Sequence, residues 1–311
     1  MNEGLQSSHA LTVDVEDWIQ SVYDADSPLT DCFIRNTHCI LELLDAHATK
    51  ATFFVLGLAA EKCPQLVRDI HRAGHEVQSH GWGHRLLATL TREQFTEDVS
   101  RSKRFLEDLI GREVVGYRAP AFGVTRSTLW ALDALIEAGY YYDSSIFPVQ
   151  MPRYGIRGVP RIPFRVIAPN GGSLLEMPVA SCRTVFGRRP VAGGGYFRLF
   201  PYPAIRRTAQ QFEHLGQPAV FYVHPYEFAP DEWRRVSVRI PLRLRLHQSV
   251  GRRGVKIKVG RLLTDFSFSP LRSIIPSLDR VPIVNFSTRK ETVAKTEPAR
   301  FSPLYGFVSG G

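Results

Sequence analysis

Apolar and polar positions follow two rhythms along this chain. Short apolar, β-branched runs that read as buried strands alternate with stretches of three-to-four-residue helical spacing. The first run, 9–15 (His-Ala-Leu-Thr-Val-Asp-Val), reads as a strand that ends in acids. Segment 33–47 has helical spacing through Ile34, Ile40, Leu41 and Leu44, and 51–56 is a second buried strand closed by Gly57. A short helix is expected over 64–73, with Pro64 at its start and Gly74 past its end. A third strand follows at 75–79. The clearest helix is 91–110: Thr91 and Gln94 form a capping box, Phe95, Val99, Ser102, Leu106 and Leu109 make one stripe, and Gly111 stops it.

Strands are expected at 114–118 and 140–143, with a helix at 128–138 between them. Two more strands, 162–167 and 173–177, flank an Asn170-Gly171-Gly172 turn. The run Gly193-Gly194-Gly195 lacks the form of a phosphate cradle, so it reads as a place where backbone approaches a ligand or bends sharply. A helix at 202–215 and a last core strand at 219–223 lead to His224-Pro225, and 266–278 is expected to pack back on the body. The organisation is then a tail at 1–8, one domain over 9–278 with a basic extension from about 230, and a loosely ordered tail at 279–311.

Alternating strands and helices predict an α/β fold of parallel strands with crossover helices, either a (β/α) barrel or an open sheet. In both, sites form at the carboxyl ends of strands. Asp14, Glu16, His80, His84, Arg118, Asp143 and His224 all fall at such ends. Chance can place two or three polar groups there; it accounts poorly for this many on different strands.

Composition narrows the setting. No run of about 18 apolar residues exists, so no spanning helix is expected. Segment 1–9 is polar and lacks an apolar core, so no secretory signal is read and a cytoplasmic location is expected. The four cysteines show no C-x-x-C spacing and are expected to be reduced thiols. The net charge of +9 is concentrated between Arg234 and Arg261. That stretch is either a solvated face or one that meets a membrane surface or an acidic polymer; nothing in it resembles a nucleic-acid module.

The chemistry starts at Glu76-Val77-Gln78-Ser79-His80-Gly81-Trp82-Gly83-His84, a strand running into a turn with two imidazoles. Two histidines four apart can offer two nitrogens to one cation. A carboxylate completes a three-ligand set that leaves positions open for water and a carbonyl oxygen. Asp14 and Glu16 share one face of an extended chain, and acids at the end of an apolar strand are costly to bury without a metal or an arginine. A second carboxylate as base, an arginine to hold it ionised and a histidine as acid complete the parts for metal-assisted amide hydrolysis. A non-haem iron oxygenase would carry its carboxylate two residues after the first histidine, where Trp82 stands.

Thr12-Val13-Asp14, His80-x-x-x-His84, Arg118-x-Pro120-x-x-Gly123 and Val223-His224 resemble, in order and spacing, the motifs of the polysaccharide deacetylases, carbohydrate esterases with a NodB-type domain. The resemblance runs from Ala10 to Glu227. The Asp14 to Trp18 stretch, Tyr142-Asp143-Ser144-Ser145-Ile146-Phe147-Pro148, the triple glycine and His224-Pro225-Tyr226-Glu227 are similar to a subfamily encoded in bacterial exopolysaccharide loci, some linked to exosortase systems. The basic segment near His247 and Arg252 is similar to that subfamily's C-terminal extension.

The resemblance implies a deformed (β/α) barrel of about seven repeats and a divalent metal, zinc first, with cobalt or manganese as alternatives. It implies Asp14 as base, His80 and His84 as metal ligands, Arg118 as the group that steadies the base, and His224 as acid. The implied reaction removes N-acetyl groups from amino sugars of an exopolysaccharide or its lipid-linked precursor. The alternatives are a hydrolase of a small cyclic amide or ureide on the same fold, and a catalytically inactive sugar-binding relative. One departure stands out: the family's first motif has two adjacent aspartates, the second on the metal, and Val15 occupies that second place. Glu16 is the expected replacement, with Asp17 as competitor. Asp143 either orients His224 or caps a turn. Pro120 lies on the substrate side, and Trp82, Trp18 and Tyr196 either stack on a sugar ring or pack.

Overall fold

The computed structural model describes residues 8–184, 187–232, 235–236, 240–278, 280–287 and, for backbone alone, 292–298. Most of the N-terminal tail, Arg234 and Arg239 of the basic run, and residues 299–311 lie outside the described residues.

β1 (Ala10–Val15) is buried along its whole length. A strand covered on both faces favours such an apolar, β-branched run. It is followed by β2 (Thr52–Val55), β3 (Glu76–Ser79), β4 (Gly116–Tyr117), β5 (Tyr142–Asp143), β6 (Phe164–Ile167), β7 (Ser173–Glu176), the hairpin β8 (Ser181–Thr184) and β9 (Gly187–Pro190), β10 (Val220–Val223), β11 (Arg280–Asn285) and β12 (Thr292–Pro298). The main sheet has the order β10-β1-β2-β3-β4-β5-β7-β6-β11-β12. Every neighbouring pair from β10 to β7 is parallel.

Helices cover this sheet: α1 (Cys32–Ala46), α2 (Gly57–Lys62), α3 (Pro64–Arg72), α4 (Arg92–Ile110), α5 (Trp130–Glu137), α6 (Gly194–Leu199) and α7 (Tyr202–Glu213). α4 starts where expected, with the Thr91 and Gln94 side chains each bonding the other's backbone, and ends on Gly111 at φ 64°. α8 (Leu242–Ser249), α9 (Val255–Asp265) and α10 (Leu271–Ile274) follow β10. The expected α/β architecture is present, with seven parallel strands and helical crossovers. Among the described residues the ladder does not close into a ring. Only isolated bridges, Val179 to Val220 and Gly193 to Tyr222, reach β10 from its far side.

The stretch before 278 packs back as expected. His9 bridges Phe268, and the amides of Leu271 and Arg272 donate to Thr52 Oγ1 at 2.9 Å and Glu76 Oε2 at 3.1 Å. Within the described part of the 279–311 tail, two strands stand where a loose chain was expected. β11 pairs in parallel with β6 and antiparallel with β12. An open edge of β6 would leave backbone groups unpaired, and β11 supplies them. Pro282 hid this strand: the register shifts between Val281 and Ile283, a bulge that accommodates the missing N–H.

Candidate functional site

The carboxyl ends of β1, β3, β4 and β10 bring six of the sequence-predicted groups, Asp14, Glu16, His80, His84, Arg118 and His224, to one mouth. Glu16, one residue past β1, is 3% exposed, and its carboxylate lies among three imidazoles. Oε2 is 2.7 Å from His84 Nε2 and 3.4 Å from His80 Nε2, while Oε1 is 3.5 Å from His224 Nε2 and accepts from the Tyr226 hydroxyl at 3.3 Å. Burial opposes the charged form of Glu16. The His84 and His224 charges and hydrogen bonds from His80 and His84 outweigh it, and hold the carboxyl well below its usual range.

Glu16, His80 and His84 each offer a ligand atom, and these atoms lie within 4.8 Å of one another. The set fits a divalent cation on its donor chemistry. His80 Nδ1 is 2.7 Å from the Arg118 carbonyl, which places a proton there and leaves Nε2 as the ring atom that faces Glu16 and would take a cation. Asp17 does not join the cluster. Its Oδ1 accepts from the Ile19 amide at 2.9 Å, and its Oδ2 accepts from the Thr30 amide and hydroxyl. The strand period turns Glu16 to the Asp14 side and sends Asp17 away to hold the following turn.

Arg118, fully buried, donates from Nη1 to Asp14 Oδ1 and Thr12 Oγ1, both at 2.7 Å. Nη2 donates to Ser144 Oγ at 2.8 Å and Nε to the Ser144 carbonyl at 3.2 Å. The guanidinium also lies against the rings of Phe54, Phe122 and Tyr222. A planar cation pinned on every edge fixes where Asp14 points.

His224 stacks on Tyr226 at 4.8 Å. Burial disfavours its charged form, but Glu16 and then Glu227 prevail and push its pKa up to about 9. Glu227 Oε2 lies 3.5 Å from His224 Nδ1 and accepts the His224 amide at 3.1 Å. Glu227, not Asp143, is thus the acid beside His224.

Asp143 is spent elsewhere. Its Oδ1 accepts from the Ser144 amide at 2.9 Å and from the Ser145 hydroxyl, and its side chain meets Glu176, its register partner on β7. Burial pushes Asp143 up to about 6 and, together with the Asp143 charge, raises Glu176 far above its usual range. Two buried carboxyls in contact share one proton, and Glu176 carries it. Ser145 in turn accepts the Ala119 amide at 2.8 Å, so this pair braces the turn after Arg118. Pro120 is buried in that turn, where Ala121 and Phe122 both adopt positive φ, 53° and 54°. Such a backbone is unusual without glycine, and here it seats Phe122 against Tyr222 at 4.9 Å.

Three aromatic expectations divide. Trp82 faces away: its ring packs on Phe105 and Gly57, with the Arg101 guanidinium 3.4 Å above it. Trp18 is fully buried beside Ile19, Tyr226 and Ile240. Tyr196 is half-buried, its hydroxyl 3.3 Å from that of Tyr154, which packs edge-on to Phe147. The triple glycine serves backbone approach to a side chain: a Cβ on Gly193 would lie 2.0 Å from Tyr222 Cδ1.

Glu176 was not singled out from the sequence, and Tyr226 and Glu227 stood in a quoted motif without a role of their own. Glu176 carries the same signal as Asp14, an acid closing an apolar strand, and Glu227 sits one helical turn from His224.

Residues 18–142 match a family described as Polysaccharide deacetylase, and residues 144–276 match one described as Domain of unknown function (DUF3473). The boundary falls at Asp143, within β5, so one sheet spans both matches. Asp14 and Glu16 precede the first match. A peptidoglycan-N-acetylglucosamine deacetylase of Bacillus cereus is 33% identical over 95 residues, 30% of this chain and 34% of that protein. This chain spans 34% and 50% of the first two curated relatives it matches. A Mycobacterium smegmatis protein assigned as a polysaccharide deacetylase superposes with a TM-score of 0.57 at 20% identity, covering 88% of this chain and 91% of that one. An allantoinase superposes with a TM-score of 0.57 at 15% identity, covering 86% and 88%. At such identities the superpositions speak to the fold alone.

Proposed function

We propose that this chain, for which the matched family and the relatives support the polysaccharide deacetylases, hydrolyses the N-acetyl amide of amino sugars in an exopolysaccharide or its lipid-linked precursor. The observation that carries the reading is the Glu16 carboxylate among three imidazoles, at the mouth where Arg118 holds Asp14. A divalent cation held by Glu16, His80 and His84, zinc before cobalt or manganese, would acidify water and polarise an amide carbonyl when bound. Asp14, aimed by Arg118, takes the proton of the attacking water. His224 gives a proton to the leaving nitrogen, with the Glu227 carboxylate 3.5 Å from its Nδ1. Asp143 and Glu176 act indirectly, by bracing Ser145 and the turn that carries Arg118. Tyr196 and Tyr154 offer rings at which a sugar can stack.

The test is acetate release from N-acetylhexosamine oligomers by metal-loaded protein. No release from chitin-like, peptidoglycan-like or exopolysaccharide substrates, with metal bound stoichiometrically, would sink the reading. A cyclic ureide assayed in parallel separates the two amide classes.

A further inference from the structure

Nine large apolar side chains are strongly exposed among the described residues, and four of them crowd into α8, α9 and the turn between. Leu242, Leu246, Val250 and Ile257 are 67%, 61%, 53% and 65% exposed. Leu242 and Leu246 are four apart on α8, so they share one face, and Val250 follows at the helix end. The other side of each helix is already docked. Leu244 packs with Trp18, Ile19, Tyr226 and Ile240, and Arg198 donates to the Gln248 carbonyl. In α9, Val255, Val259 and Leu262 are buried, and the Lys258 ammonium donates to the carbonyls of Phe197, Arg198 and Phe200. This apolar patch is therefore what remains outside once both helices are seated.

Cations frame it. Arg243, Arg245, Arg253 and Lys256 are exposed, and the sequence holds no acidic residue between Glu232 and Asp265. A merely solvated basic face has no use for exposed leucines, and a nucleic-acid surface meets cations without needing an apolar stripe. Apolar side chains ringed by arginine and lysine match the boundary of an anionic bilayer, where head-group phosphates meet acyl chains.

We propose that the α8–α9 face docks on an anionic phospholipid surface, with Leu242, Leu246, Val250 and Ile257 inserting and Arg243, Arg245, Arg253 and Lys256 meeting phosphates. The proposal stands apart from the reaction assigned above. It also gives the basic segment a place beside the site, because Leu244 and Arg252 pack against Tyr226, the ring under His224.

The full chain is sedimented with vesicles of phosphatidylcholine mixed with phosphatidylglycerol, and with phosphatidylcholine alone. Binding to the mixed vesicles and little to the neutral ones is expected. Leu242→Ser with Leu246→Ser, and separately Arg243→Gln with Arg245→Gln, should each weaken partitioning roughly tenfold or more. Both pairs are exposed, so thermal melting should match the unmodified chain. If either pair melts early, the salt dependence of the unmodified chain decides, since electrostatic docking weakens as salt rises. No sedimentation with mixed vesicles overturns the proposal, as do well-folded variants that bind undiminished. Binding to duplex DNA as strong as to vesicles, and indifferent to the leucine pair, would mean a general polyanion surface instead. A self-association that the leucine pair abolishes, without vesicle binding, would mean a protein partner instead.

Discussion

Glu16 and Asp17 are neighbours of the same chemistry with opposite fates, and the difference is the two-residue period of an extended chain. Glu16 returns to the face of Asp14 and meets the imidazoles; Asp17 turns outward to Ile19 and Thr30. Glu16→Gln should abolish stoichiometric zinc binding, read by metal analysis after dialysis, whereas Asp17→Asn should retain it. His224→Ala should lower kcat by about 10²- to 10⁴-fold while metal content stays at one per chain; loss of metal instead would make His224 a ligand. The departure at Val15 was readable from the motif, and so was Glu16 as the acid that comes to lie beside His80 and His84. Glu227 was readable only in part: a glutamate three after a histidine is common, and nothing local says that it turns back to Nδ1.

At the scale of elements, the close approaches are glycine's contribution. The backbone of Gly193 lies against the ring of Tyr222, whose neighbour in the next shell is His224 at 5.4 Å. Gly193→Ala should destabilise by about 1–3 kcal/mol, the usual range for overpacking, and lower activity beyond that by displacing Tyr222. Urea unfolding and kcat together check this, and an unchanged midpoint would refute the packing account. Thr91→Ala should cost about 1 kcal/mol through loss of the α4 cap, with no effect on metal binding. The elements with strong period and explicit stop signals, such as α4, were the ones read closest to their true bounds. β11 escaped because its proline breaks the pattern, and the β8–β9 hairpin because three of its eight residues are arginines and it lies outside the main sheet.

At the scale of the whole molecule, two buried histidines tie the fold to pH. His9 Nδ1 accepts the Ala219 amide and His75 Nδ1 accepts the Ala51 amide, so each must be neutral. Burial lowers both pKa values from 6.5 to about 4. Between these values the unfolded chain binds more protons at these two sites than the folded one, so the stability His9 and His75 contribute is fullest above pH 6.5 and falls as pH drops toward 4. Each histidine should contribute a loss of order 1 kcal/mol between pH 7 and 5. Urea unfolding at the two values checks it, and His75→Gln should flatten the slope. An unchanged slope in that variant would remove His75 from the account.

By itself the sequence determined the α/β order, most of the strands, the three longest helices, and most of the polar residues that close the strands. Local physics suffices for these, because side-chain period, caps and proline or glycine stops act over a few residues. It was the tertiary structure alone that decided which polar groups touch. Asp143 meets Glu176 rather than His224, and Trp82 meets Arg101 rather than the mouth, because strand order and register choose neighbours far apart in the chain. A side chain's partner across a sheet is a property of the assembled ladder, and no window of residues carries it.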